Sequence, residues 1–439
     1  MSSWKEYKLI DLVSFSQGIQ VPVEEQYKEK LDNMERFIRI VDYTNPNEEP
    51  RYIIKKSNKY WVNENDVVMI RYGWAGKVVN GIKGYIANNM FRIIVEKSDI
   101  LDKEYLYYFL SQRKIYEYLV SCNSSTTMPS IKFSDFNKIN IKLPTLEEQR
   151  YIVSFLKDFD KKIQLNTQIN QTLEQIAQTI FKSWFIDFDP VHAKANALAS
   201  GQTLEQATQA AMAVISGKNT QELHRLQTAN PEQYQQLWEI ADAFPSGVDE
   251  KGVPRGWEER ELSYLFEFLS GAQPPKSEHI YEEKEGYERF IQNRDYSNDN
   301  HKTYIPISKK NKRCTEKDIL MDKYGEAGKV RYGIKGAYNV ALAKIVPQKD
   351  NLREFLRSYF TQDKIRNYLS SSSMASTRNS LNSTTFTRMK VIVPNDFLLS
   401  TFDKLANEKI DKILQIKQEN IELSKLRDYL LPKLLSGEV

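Results

Sequence analysis

Two short segments carry the side chains best able to do chemistry, and they are nearly the same segment. RYGWAGKVVNGIKG at 71–84 returns as KYGEAGKVRYGIKG at 323–336, identical at ten of fourteen positions and with glycine at the same four places. Glycine lets a backbone reverse tightly, and Arg71, Tyr72, Lys77 and Lys83 crowd the first copy with cationic donors and an aromatic face. The second copy offers Lys323, Tyr324, Lys329, Arg331 and Lys335. Loops of this composition can approach a nucleic acid backbone while their long side chains reach phosphates or base edges. Asn80-Gly81 is in addition a signal for a tight hairpin turn.

A second pair of segments is polar without being basic. CNSSTTMPS at 122–130 supplies the hydroxyls of Ser124, Ser125, Thr126 and Thr127, and the aligned SSMASTRNS at 372–380 supplies Arg378 and Asn379. Arginine and asparagine are the side chains suited to guanine and adenine edges in the major groove. These loops differ between the copies far more than the glycine segments do. Two different target sequences read by one scaffold would require that divergence, and neutral drift of surface loops would also produce it.

Catalytic chemistry has no comparable support. There is no GxxxxGK(S/T) segment, no GxGxxG after a strand, no HExxH and no Pro-Pro-aromatic motif of the amino-methyltransferase kind. His192, His224, His279 and His301 are scattered, and none recurs at the equivalent place in the other half. Cys122 and Cys314 also occupy non-equivalent positions, so neither a disulfide framework nor a metal site is indicated. No catalytic residue, metal or cofactor is expected of this chain itself.

The elements that must position these loops are repeated with them. Trp4–Gly18 aligns with Trp257–Gly271, and ERFIRIVDYT at 35–44 aligns with ERFIQNRDYS at 288–297. Two copies of one domain follow, residues 1–145 and 255–395. Net charge is +3 over the first and +7 over the second, against −5 over 185–254; positive charge is concentrated where phosphates would be met. Apolar runs at 67–72, 90–95 and 138–143, matched at 318–324, 341–346 and 389–394, read as strands. Leu106, Phe109, Leu110 and Leu119 read as one helix between the second and third of them. Each copy is an α+β domain.

A proline, Pro144 or Pro394, closes each domain, and a long helix follows at 146–184 and again at 396–439. Apolar positions alternate in steps of four and three, from Ile152 and Leu156 to Ile180 and Trp184 and from Phe402 and Ala406 to Leu430 and Leu434, a coiled-coil seam. The economical arrangement packs the two helices on each other, antiparallel, as a pseudo-twofold pair separating two similar α+β domains. Asn170 and Asn420 hold the same seam position, and a buried polar residue in a seam specifies register. Residues 185–254 have no counterpart after the second helix. Asp189-Pro190, the capping box from Thr203 to Gln206, and Asn230-Pro231 open helices there, giving a small acidic helical insert. No apolar run approaches membrane-spanning length, and the first residues lack a signal-peptide layout, which points to the cytoplasm.

Two variable α+β domains alternating with two long helices resemble the specificity subunit of type I restriction-modification enzymes. LPTLEEQRYIVSFLKDFDKKIQLNTQ (143–168), FKSWFIDFDPV (181–191) and the closing LRDYLLPKLLSGEV (426–439) carry the resemblance. It implies that 1–145 and 255–395 are target recognition domains, each reading one half of a bipartite, asymmetric site in double-stranded DNA, with the helices as spacers. It also implies partners: two methyltransferase (modification) subunits that supply S-adenosylmethionine chemistry on adenine, and ATP-driven restriction/translocase subunits in the full complex. A non-catalytic DNA-binding or scaffold subunit of another methylation-based defence system is the alternative. The EQR signature at 148–150 is lost in the second half, where 396–404 reads DFLLSTFDK, so unequal partner contacts at the two helices are expected.

Overall fold

The computed structural model describes residues 4–45, 48–122, 130–297, 301–374 and 380–438. The chain divides into two compact units, Met1–Asn166 with Glu419–Val439, and Thr167–Gln418. Each unit therefore owns half of each long helix.

Among the described residues the first unit has strands β1 (Lys5–Lys8), β2 (Val13–Gln17), β3 (Met34–Ile38), β4 (Arg51–Ile54), β5 (Trp61–Val62), β6 (Val67–Ile70), β7 (Val78–Val79), β8 (Gly84–Ile86), β9 (Met90–Val95) and β10 (Asn140–Leu143). They form one sheet ordered β2-β9-β6-β7, a second ordered β4-β3-β8-β5, and a ribbon of β1 with β10. Only β3 and β8 run parallel, with Phe37 beside Tyr85. Strand β6 explains its own unbroken apolar run. Val67 and Met69 enter a core shared with helices, whereas Val68 and Ile70 enter a second core with Phe37 and Ile86 on the other face. The second unit repeats the topology. Phe266–Ser270, Leu342–Pro347, Ile319–Asp322 and Val330–Arg331 form one sheet in that order, and Tyr304–Pro306, Tyr287–Ile291, Gly336–Tyr338 and Arg313–Cys314 the other.

Two local expectations are corrected. Asn80-Gly81 does not close a hairpin, because β7 and β8 belong to different sheets. The antiparallel reversal lies earlier, between β6 and β7, and Gly81 at φ 90° turns the chain from one sheet into the other while its N–H donates to the Glu64 carbonyl at 2.7 Å. The helix through Leu106 and Leu119 is two helices, Lys103–Ser111 and Arg113–Ser121. Gln112 between them is extended at ψ 137°, and its Nε2 donates to the Phe109 carbonyl at 3.0 Å, closing the first helix. Gln362 makes the same break at ψ 131° between Arg353–Thr361 and Asp363–Met374.

The long helices are Leu146–Phe185 and Asp396–Leu434. In the first unit Asn166 meets Asn420, Asp160 meets Arg427, and Leu431 and Leu435 join the core of Ile152, Val153 and Leu156. In the second, Phe402 lies 5.7 Å from Phe181 and 6.3 Å from Trp184, ring to ring. Partner numbers fall on one helix as they rise on the other, so the pairing is antiparallel. The polar register contact is Asn166 to Asn420. Asn166, 1% exposed, donates to Asn420 Oδ1 at 2.8 Å and to Glu419 Oε2 at 3.0 Å. The same register carries Asn170 past Asn420 to the level of Ile416, and its buried Oδ1 accepts no hydrogen bond.

Helix starts are written locally. Thr145 and Glu148 form a reciprocal capping box at the first helix, and Asn395 Oδ1 accepts from Leu398 N–H at the second. Gln149, 0% exposed, fastens the first helix to its domain. Its Oε1 accepts from Asp102 N–H at 2.8 Å, and its Nε2 donates to the Ile100 and Pro144 carbonyls at 2.8 and 3.0 Å. The glutamine of the EQR signature is thus an internal clamp, and the equivalent Leu399 is likewise buried; the second half loses this clamp and, beside it, exchanges exposed Arg150 for exposed Ser400. The 185–254 segment holds helices Asp189–Ala199, Leu204–Ser216, Thr220–Ala229 and Pro231–Asp242. Buried Lys194 donates to the Ala241, Asp242 and Phe244 carbonyls, placing a cation at the carboxyl end of the last of these helices.

Gln149→Leu strands one N–H and two carbonyls in the core, so the first unit should lose roughly 1–3 kcal/mol of stability. Urea unfolding followed by a probe in that unit measures it; an unchanged midpoint would show that the clamp contributes nothing.

Candidate nucleic-acid interface

The glycine-rich segment forms the connection between β6 and β7, with its ends closed by Ile70 N–H to Lys77 carbonyl at 2.9 Å and Gly76 N–H to Ile70 carbonyl at 3.0 Å. Gly76 lies under the second short helix, where an added Cβ would meet Tyr116 at 3.4 Å. In the second copy the fit is tighter, since a Cβ on Gly328 would stand 2.7 Å from Leu369 Cβ. The residue that follows each polar loop is bonded to the same segment: Ile131 N–H donates to the Arg71 carbonyl at 3.1 Å, and Leu381 N–H to the Lys323 carbonyl at 3.2 Å. The fold therefore joins residues that lie about sixty positions apart in sequence. Ser124, Ser125, Thr126, Thr127, Arg378 and Asn379 themselves lie outside the described residues.

The cations of the two segments fall into three settings. Arg71 and Lys323 are tethered: Arg71 Nη1 donates to Gln17 Oε1 at 3.0 Å and Lys323 Nζ to Ser270 Oγ at 2.9 Å, each beside the tyrosine that follows it. Tyr72 is half-buried and Tyr324 is exposed. Lys77, Lys83 and Lys335 are exposed, with Lys77 over the Trp74 ring at 5.5 Å and Lys83 over the Trp61 ring at 6.0 Å. Amines held on aromatic faces, with the charge still toward water, are suited to phosphate.

Lys329 and Arg331 belong to the third setting, which the spacing of the motif did not reveal. Lys329 pairs with Glu326 at 2.7 Å. The Arg331 side chain is 10% exposed and reaches Asp322 Oδ2 at 2.7 Å and Glu326 Oε2 at 2.8 Å. Burial pushes the Asp322 carboxyl above the usual carboxylate range, and the Arg331 guanidinium opposes that push. A carboxylate 1% exposed requires such a countercharge, so Arg331 faces inward instead of offering its charge at the surface. The first copy has Ile70 and Val79 at these two positions and needs no ion pair. An aspartate ending the apolar run ILMD, with arginine replacing valine across the reversal, is the signal that identifies the pair.

Among the described residues no group of three or more His, Cys, Asp or Glu is placed to hold a metal ion, and no helix is long and apolar enough to cross a membrane.

A family model described as type I restriction modification DNA specificity domain matches the chain twice, over residues 1–175 and 254–427. The chain is 36% identical over 385 residues to the type I restriction enzyme HindI specificity subunit of Haemophilus influenzae, spanning 82% of this chain and 83% of that one. It is 28% identical over 378 residues to the type I restriction enzyme MjaIX specificity subunit of Methanocaldococcus jannaschii, spanning 81% and 75% respectively. Among solved structures, the S subunit of a type I restriction-modification system from M. genitalium aligns over 99% of this chain and 96% of that chain, with a TM-score of 0.49 and 16% identity.

Arg331→Met leaves Asp322 buried without its countercharge and should cost about 3–5 kcal/mol. The double variant Asp322→Ile/Arg331→Val, which installs the first copy's residues, should recover most of that stability. Chemical denaturation of both variants checks the pair; equal losses in the two would mean that Arg331 does not serve Asp322.

Proposed function

The chain belongs to the type I restriction modification DNA specificity family, and we propose that each of its two α+β domains reads one half of a bipartite, asymmetric duplex DNA site. The observation that carries this reading is the contrast within the repeat. The glycine-rich scaffold segment is kept at ten of fourteen positions, while the polar loop whose following residue is bonded to it differs almost throughout. One framework presenting two different loops matches two different half-sites. Lys77, Lys83 and Lys335 meet phosphates, and Arg378, Asn379 and the hydroxyls at 124–127 read bases. Arg71 and Lys323, tethered at the foot of each loop, orient it. Lys329 and Arg331 contribute mainly by holding the second loop's shape.

The chain carries no chemistry of its own in this reading. It positions two methyltransferase subunits, whose S-adenosylmethionine chemistry modifies adenine, and the restriction/translocase subunits of the full complex, all in the cytoplasm. Modest charges of +3 and +7 on the two domains suit a subunit that binds DNA weakly alone and tightly once assembled, because phosphate neutralisation supplies most of the sequence-independent affinity.

Adding the chain to its methyltransferase partner should create methylation at one bipartite sequence, read by sequencing modified adenines; the same methylation without the chain would refute the assignment. Within the complex, Arg378→Ala should relax the second half-site alone, by about 1–3 kcal/mol per base pair affected. Lys77→Ala should weaken all sequences alike and reduce the salt slope by about one. Binding titrations against singly mismatched duplexes at several salt concentrations separate the two effects.

A further inference from the structure

The two glycine-rich segments differ at four of fourteen positions; in the second copy two of those four join one ion-pair group, and a third stands next to it along the chain against the long helices. Glu326 and Arg331 are joined to each other and to Asp322, as described above, and Lys329 completes the loop side at Glu326. The third, Tyr332, follows Arg331 directly and points to the long helices. Its hydroxyl donates to Glu174 Oε1 on the first helix at 2.6 Å. Lys417 Nζ on the second helix stands 4.4 Å from the ring centroid, and the Arg357 guanidinium stands 4.7 Å from it. Arg357 is held in turn by Glu354 at 2.8 Å, in an ion pair whose side chains are 5% and 2% exposed. An added Cβ on Gly333 would be 3.4 Å from Leu414 of the second helix, which shows how closely this end of the motif lies against it.

None of these parts exists in the first copy. Ile70, Trp74, Val79 and Asn80 stand where the second has Asp322, Glu326, Arg331 and Tyr332. The helix partners change in concert: Thr167 stands at the position of Lys417, Ser424 at that of Glu174 and Tyr107 at that of Arg357. An added Cβ on Gly81, the equivalent of Gly333, would meet nothing within 4 Å. The first domain is tied to the helices elsewhere, by Tyr108 to Asp160 at 2.6 Å and Arg427 to Asp160 at 2.6 Å.

We propose that Tyr332 is a positioning residue for recognition of the second half-site: held by Glu174 and Lys417 on the long helices and joined along the chain to Arg331, whose ion pairs with Asp322 and Glu326 shape the loop, it couples the second glycine-rich loop to both helices, whereas among the described residues the first loop has no such coupling. This rests on the reading that the glycine-rich loops meet DNA. Substitutions on the helices at 174 and 417 then alter how the second half-site is read and leave the first unchanged. The network also travels as a set, since a single first-copy residue placed into it strands charges that the complete set would not.

The test uses the chain assembled with its methyltransferase subunits and reads every methylated site in a host genome, together with the unfolding midpoint. Tyr332→Asn should raise methylation of sites with one wrong base in the second half-site, or with a gap one base pair off, by roughly tenfold, the scale of a single mismatch. First half-site selectivity should stay as in the wild type. Glu174→Ala should reproduce the change and Glu174→Gln, which keeps an acceptor for the tyrosine hydroxyl, should reverse it. The set Asp322→Ile/Glu326→Trp/Arg331→Val/Tyr332→Asn should fold near the wild-type midpoint and still show the relaxation. If Tyr332→Asn prevents assembly, Tyr332→Phe, which keeps the ring between its two cations, decides on the same readout. The proposal is overturned if these variants lower the midpoint yet keep wild-type selectivity and gap, or if both half-sites loosen equally. Methylation by the wild-type partner without this chain would instead remove the underlying reading.

Discussion

Everything in this molecule depends on two long helices that run antiparallel, because neither domain closes its core with its own stretch of chain. Leu431 and Leu435, near the carboxyl terminus, are buried among residues drawn from Leu9 to Leu156. Phe181, Trp184 and Phe402 are buried in the core of the second domain. Removing an apolar side chain of this size from water stabilises by about 1.5–3 kcal/mol, so these few positions bind distant parts of the chain into each unit. The buried Asn166–Asn420 contact adds little net energy but admits one register, since sliding the helices would leave its amides unpaired in an apolar seam.

On that frame the two domains share a topology and differ in what fills it. Strand β6 and its twin Ile319–Asp322 both stand between two cores, yet the first ends in Ile70 and the second in Asp322. A carboxylate placed there forces further substitutions, because a lone buried charge costs far more than a paired one. Arg331 pairs with Asp322, Glu326 and Lys329 complete the pairing at the loop, and the next residue along the chain, Tyr332, bonds to Glu174 on the first helix. Val79 of the first copy, buried in the same core as Ile70, is the apolar solution of the same problem. Divergence inside the scaffold is therefore concerted.

This division accounts for how a family of binding subunits can vary its targets. The sheet ladders, the buried clamp at Gln149 and the helix caps hold the architecture of the first domain. The exposed Lys77, Lys83 and Lys335 lie on the surface of that architecture, where substitution costs little stability. In the second domain the boundary between the two is less clean, since a loop shaped by Arg331 and Glu326 inherits constraints from the helices.

Much of this was legible from residues alone, wherever the governing physics is local or periodic. The internal repeat, the apolar runs of β6 and β9, the seam of the helices, the capping box at Thr203 and the absence of catalytic motifs all show in neighbouring residues or in their spacing. The family resemblance was carried by motifs of the same kind. What only the tertiary structure decided depends on residues far apart in sequence. Asn80-Gly81 has the composition of a hairpin turn, but whether the strands on either side share a sheet is settled by β3, which pairs with β8. Gln112 interrupts an apolar pattern that is itself continuous. Gln149 looked like a surface signature until the carbonyls of Ile100 and Pro144 closed over it, and Asn166 outranked Asn170 because the antiparallel register, set by side chains along both helices, brings 166 and not 170 to Asn420. Arg331 carries the charge of a DNA ligand, and it is the burial of Asp322 that turns it to the interior, because a charge in a low-dielectric core is answered by whichever countercharge the fold brings near; Lys329 is held at the surface by Glu326.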